Sequence, residues 1–136
     1  MPKSYRIRFV ANADGSVTAQ NEHGAQVTVG SSGPDRFSSV EMLLVALGGC
    51  AGEDFVNLME KQRLPLAPVE LEVTAERAPG KAQRLTWLRV AYHVDVRDED
   101  ISKVERATRL IPEKTCTVSR TLINGAPVEH VIEPPG

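Results

Sequence analysis

Apolar and polar positions alternate through the first thirty residues of this 136-residue chain. Tyr5, Ile7 and Phe9 stand against Arg6 and Arg8, the two-residue period of a half-buried strand. Asp14-Gly15 marks a tight turn. Val17 and Ala19 resume the pattern, residues 21–24 turn the chain again, and Val27 and Val29 follow. A β-meander is expected, closed by a polar loop of breakers over residues 30–36.

The period then changes to that of a helix, from about Val40 to Gln62. Ser38 and Glu41 have the spacing of a capping box. Val40, Leu44, Leu47, Ala51, Phe55, Leu58 and Met59 form one face, and Met42, Leu43, Ala46 and Cys50 widen it. A helix apolar on most sides is a central, buried one. Gly48-Gly49 weakens it, as either a close-packing point or a kink. A kink there would leave Cys50 near a fresh helix N-terminus, whose dipole favours thiolate. Pro65 and Pro68 end the segment.

Val69, Leu71 and Val73 alternate with Glu70, Glu72 and Thr74, and residues 78–81 turn the chain. Leu88, Val90, Tyr92, Val94 and Val96 then line one face of a second strand. Asp98 or Asp100 can cap a second helix with Ile101, Val104, Thr108 and Ile111 on its buried stripe. Pro112 ends or kinks it, and helix restarts near Thr115. Asn124-Gly125 turns, residues 128–132 form a last strand, and residues 134–136 are a loose tail. This order argues for a single α+β domain, residues 1–136, with antiparallel sheet.

Composition narrows the function. A net charge of −2 gives no electrostatic reason to expect nucleic acid or an anionic membrane as partner. No signal core precedes the first strand, and no run reaches the roughly 20 apolar residues of a membrane span. A cytoplasmic location is the default, and there a permanent disulfide is disfavoured while a transient one is not.

The chemistry rests on Cys50 and on Cys116, which lies 66 residues further on. Such a pair admits a structural disulfide, two inert core thiols or a redox couple. Gly48 and Gly49 open room beside the Cys50 sulfur, whereas Asp54, one turn later, would raise its pKa as a carboxylate. Thr115 as N-cap would put Cys116 in the first turn of a helix. Neither cysteine sits in a CxxC, and His23, His93 and His130 show no ligand spacing, so no metal is expected. Glu41 completes the capping box, and nine residues separate it from Cys50, half a turn out of face. Arg36, just before the helix, could reach such a carboxylate.

Ser39 through Cys50 resembles the first cysteine segment of the OsmC/Ohr family, the osmotically induced and organic hydroperoxide resistance proteins. Residues 104–107 and 113–118 resemble the second, and the Gly-Gly-Cys form with Asp54 is similar to an OsmC-like branch. The resemblance implies an intertwined homodimer of antiparallel β-sheets around a long central helix carrying Cys50. It implies a cofactor-free peroxidase. Cys50 would attack the O–O bond and become a sulfenic acid, Cys116 would condense with it to a disulfide, and an external dithiol would reduce that disulfide. Glu41 matches the carboxylate that orients an arginine over the thiolate. Arg36 is the candidate for that arginine, with Arg6 and Arg8 as alternatives. Organic hydroperoxides are the expected substrates, since Leu43, Leu47 and Phe55 give Cys50 apolar walls. Two other readings keep the fold: a non-catalytic binding module and a thiol redox sensor.

Overall fold

Three short strands occupy the alternating N-terminal segment: β1 (Ile7–Ala11), β2 (Val17–Asn21) and β3 (Gln26–Val29). They are seen in a computed structural model that describes residues 2–30, 34–81 and 83–135. Part of the loop expected over 30–36, and the end of the tail, therefore lie outside the described residues. Contacts divide the chain into two compact units, Met1–Val45 and Ala46–Gly136, with the boundary inside the long helix.

In the first unit the strands form an antiparallel sheet in the order β1-β2-β3. Ile7 pairs with Asn21, and Val17 with Val29. Side-chain oxygens set the turns. Asp14 Oδ1 accepts from the Ser16 amide at 2.9 Å and its hydroxyl at 2.6 Å. Asn21 Oδ1 accepts from the amides of His23 and Ala25. These are the local bonds that make Asp and Asn turn residues. Gly15 and Gly24 follow with φ of 89° and 91°, which glycine alone adopts without strain. One expectation fails. β1 is exposed along its whole length, Phe9 at 62%, and only Ala19 of the three strands is buried. β1 is an edge strand, and its alternation reports register rather than burial within this unit.

The helix α1 runs unbroken over Ser39–Lys61. The capping box forms as expected: the Ser38 amide donates to Glu41 Oε1 at 2.9 Å and the Glu41 amide donates to Ser38 Oγ at 3.1 Å. By length and composition α1 could cross a membrane, contrary to the reading of the sequence. Its buried row of Leu47, Ala51, Phe55 and Met59, at four-residue spacing, is instead that of a core helix. The glycine pair does not interrupt it. A Cβ on Gly48 would meet Val73 Cγ2 at 3.0 Å, whereas one on Gly49 would meet nothing within 4 Å. Gly48 is thus a close-packing point, and no new helix N-terminus arises at Cys50.

Within the second unit, α1 meets β4 (Glu70–Arg77) and β5 (Leu85–His93), an antiparallel pair with Val73 opposite Val90. A single 3₁₀ turn, Asp98–Asp100, leads into α2 (Ile101–Leu110). Asp100 stands at the N-cap without a side-chain cap bond; its carboxylate pairs with Arg97 at 3.3 Å and Lys103 at 3.5 Å. Val104, Ala107 and Ile111 are the buried stripe, while Ile101 is 45% exposed, so the expected stripe is rotated by part of a turn. Ala51, Phe55 and Met59 pack with Val104, Ala107, Ile111 and Cys116 into one core. α2 then widens into a π-helical turn, Ile111–Thr115, carrying Pro112, and α3 (Thr117–Asn124) follows. Among the described residues 128–132 form no strand: Val128 is 81% exposed and Ile132 fully so. The alternating pattern is there, but no strand among the described residues pairs with it.

The two glycines separate by mutation. Gly49→Ala is expected to raise stability by up to about 1 kcal/mol, the propensity gain of alanine inside a helix. Gly48→Ala should forfeit that gain against Val73. Urea unfolding of the two variants beside the parent measures the difference.

Candidate functional site

Cys50 and Asp54 are one helical turn apart on α1, each one position before a wholly buried residue, Ala51 and Phe55. A step of about 100° places both at the edge of the buried row, and both are half-buried. Cys116 comes to them from the other side of the core and is fully buried. The sulfurs of Cys50 and Cys116 and a carboxylate oxygen of Asp54 all lie within 4.8 Å of one another, and both cysteines are free thiols.

Local structure places Cys116 with care. Its amide donates to the Ile111 carbonyl at 2.9 Å, closing the π-helical turn. Its backbone is extended, at φ −84° and ψ 107°, so Cys116 itself is the N-cap of α3. This corrects the expectation that Thr115 caps and Cys116 lies inside the first turn. Cys116 Sγ accepts from the Ser119 amide at 3.3 Å. The Val118 backbone amide favours the Cys50 thiolate. Cys116 Sγ thus takes one of the free N–H groups at the start of α3, the donors a helix leaves unpaired.

The electrostatics oppose ionisation of Cys50. Burial pushes its thiol up, and Cys116 and Asp54 push it further, against the single Val118 donor. The raised value stabilises the fold fully below the ordinary thiol value of 9.0, and that contribution is lost as pH rises through the folded value. Tyr92, stacked on Phe55 with ring centroids 4.9 Å apart, is pushed up to about 12, first by burial and then by Cys116, Asp54 and Cys50. Its phenol therefore belongs to the same site, which its place on an apolar strand face did not signal. Asp54 Oδ2 is buried without a hydrogen-bond partner. Among the described residues no lysine, arginine or histidine pairs with it.

Beside this cluster is a cavity of about 350 Å³ lined by Leu47, Leu88, Val90, Tyr92, Ile111 and Leu122, with Ser119 at its edge. Its wall is mostly apolar; neither cysteine lines it, and Tyr92 and Ser119, whose amide bonds Cys116 Sγ, are the lining residues that also belong to the surroundings of the sulfurs.

The other sequence candidates have partners in the first unit. Arg36 lies 3.8 Å from Asp14, whose carboxyl is held below the usual range chiefly by Ser16 and in smaller part by Arg36. Glu41 is engaged in the capping box. Arg6 and Arg8 line a small cleft with Gln20, Asn21 and Glu22.

Residues 31–131 match the family described as OsmC-like protein. Protein YhfA of Escherichia coli K12 is 31% identical over 129 residues, which span 94% of this chain and 95% of that protein. An OsmC-like protein from Mycoplasma pneumoniae superimposes with a TM-score of 0.73 at 20% identity, covering 90% of this chain and 89% of the other. An organic hydroperoxide resistance protein from Elizabethkingia anophelis does so at 0.57 and 15%, covering 89% and 90%.

Replacing Asp54 by Asn removes a negative charge that opposes the Cys50 thiolate. In metal-free buffer, Asp54→Asn should alkylate at Cys50 roughly two- to fivefold faster near pH 8, with its whole pH–rate profile displaced to lower pH. Iodoacetamide kinetics followed by peptide mass measure this, and an unchanged profile would show that the carboxylate does not act on the sulfur.

Proposed function

Because the chain belongs to the OsmC-like protein family, we propose that it is a cysteine-based peroxidase for organic hydroperoxides. The observation that carries this reading is the approach of two free thiols to within 4.8 Å of each other beside an apolar cavity. The likeness in fold to an organic hydroperoxide resistance protein points the same way.

The proximity of the two thiols supports the following steps. Cys50 is the more open of the two sulfurs and the nucleophile. Its thiolate attacks one peroxide oxygen, the O–O bond breaks, the alkoxide leaves as the alcohol after taking a proton, and Cys50 becomes a sulfenic acid. The Cys116 sulfur, held by the Ser119 amide, then attacks the Cys50 sulfur; water leaves and the disulfide forms. An external dithiol reduces the disulfide by exchange and is itself oxidised. The aliphatic and aromatic wall of the cavity takes the organic part of the substrate, whose burial supplies about 25 cal/mol per Å². The chemistry suits a reducing, cytoplasmic setting.

The raised Cys50 thiol, with no cation paired to Asp54, favours slow turnover near neutral pH. The same feature supports the rival readings, a binding module or a redox sensor that cycles rarely. One experiment separates them. After two equivalents of cumene hydroperoxide, the parent should lose two hydrogens as the disulfide forms and leave the second equivalent unused. Cys116→Ser should gain two oxygens, because nothing traps its sulfenic acid. Cys50→Ser should leave the peroxide unconsumed. A parent chain that stays fully reduced for hours sinks the peroxidase and leaves the binding module.

The enzyme is a homodimer in this reading. In the first unit, Leu43 and Val45 of α1 and Ile7, Phe9 and Val10 of β1 remain exposed, more apolar surface than a monomer usually leaves open. Sedimentation at micromolar concentration should show about twice the 14.8 kDa chain mass; a species of single-chain mass alone would contradict it.

A further inference from the structure

Three acidic side chains meet at one point with no basic partner. Cys50 Sγ, Cys116 Sγ and an Asp54 oxygen are mutually within 4.8 Å. Asp54 Oδ2 is buried and makes no hydrogen bond, which leaves a carboxylate oxygen short of the partner that burial demands. Neither neighbouring thiol supplies one, since Oδ2 has no hydrogen-bond partner at all, and Cys116 Sγ is already engaged by the Ser119 amide. The missing partner is a cation that thiolates and a carboxylate both accept.

We infer that Cys50, Asp54 and Cys116 form a binding site for a thiophilic divalent cation, zinc(II). Zinc takes cysteine sulfur at about 2.3 Å and carboxylate oxygen at about 2.0–2.2 Å in a tetrahedron. That geometry sets ligand atoms roughly 3.5–3.8 Å apart, so the cluster closes on an ion by side-chain rotation of about 1 Å or less. The scaffold suits the purpose: two ligands sit one turn apart on a core helix, and the third is fixed by the π-helical turn and the α3 cap. Soft thiolates select zinc over magnesium and calcium. Three protein ligands leave the fourth position to water, as in zinc sites that keep an open position. Binding replaces the protons of both thiols, so Zn²⁺ enters and two protons leave, giving a complex of net charge −1 with the Asp54 carboxylate.

A regulatory consequence rests on the peroxidase reading, whereas the binding itself does not. Sulfur lone pairs committed to zinc cannot attack a peroxide. Zinc therefore holds the enzyme silent and protects both thiols, and formation of the disulfide releases the ion.

The test begins with the reduced full-length chain and Zn²⁺ alone, measured by native mass spectrometry and by competition with a chromogenic chelator. One zinc per chain is expected, with two protons released per ion. The chain carrying the disulfide should bind none. Asp54→Asn should weaken binding at least tenfold, and Cys50→Ser and Cys116→Ser should weaken it further, with circular dichroism confirming that each variant is folded. Cobalt(II) in place of zinc should give the thiolate charge-transfer and tetrahedral bands of a two-sulfur site, a readout that needs no variant. No zinc bound by the parent, equal binding by parent and all three variants, or a cobalt spectrum without thiolate bands would each overturn the site. Peroxide consumption measured separately in chelator keeps the two readings apart: metal binding without turnover sinks the peroxidase alone, and turnover without metal binding sinks the site alone.

Discussion

The packing of the α1 row Ala51, Phe55 and Met59 against Val104, Ala107 and Ile111 of the second unit is the constraint from which the site follows. Each of these residues is essentially shut off from water. Truncating one of the large ones would cost about 2–5 kcal/mol, a large share of the stability of a chain this size. This contact fixes the rotation of α1 about its own axis. Once that rotation is set, Cys50 and Asp54, each one step off the row, must lie at the edge of the core. Cys116, the innermost sulfur, belongs to the same cluster, so the two thiols converge because the core does.

The second organising feature is how backbone donors are shared at the start of α3. A helix start leaves N–H groups without partners, usually met by a serine, threonine, aspartate or asparagine oxygen. Here sulfur takes that place. Ser119 N–H is aimed at the Cys116 sulfur. The π-helical turn before it delivers Cys116 to the cap position, a local irregularity of the kind often found at functional sites. The Val118 amide partly offsets the burial, and the effects of Cys116 and Asp54, that raise the Cys50 thiol.

Much of this was legible in the residue order, and for identifiable reasons. Several short-range features follow from spacing alone, although the cap of α3 falls on Cys116 rather than Thr115. The Ser38–Glu41 capping box, the Asp14-Gly15 and Asn21–Gly24 turns and the antiparallel β4–β5 pair are all of this kind. So is the four-residue row of α1. The resemblance of the two cysteine segments named the family, which the match over residues 31–131 bears out. Errors arose where a pattern needs a distant partner to acquire meaning. Residues 128–132 alternate like a strand yet pair with no strand among the described residues, and β1 alternates without being buried.

The sequence by itself determined the α+β element order, the helix that carries Cys50, and the two cysteine segments that resemble the family, because each follows from local periodicity or residue type. Tertiary structure alone decided which side chains share the site. Cys50 and Cys116 are 66 residues apart, and no spacing rule spans that distance. Packing of α1 on α2 brings them together with Asp54 and Tyr92 and leaves Asp54 Oδ2 without a partner. It also decided that Gly48 serves close approach to Val73 rather than a kink. Burial, charge and reactivity depend on what surrounds a group, and those surroundings come from parts of the chain that only folding makes neighbours.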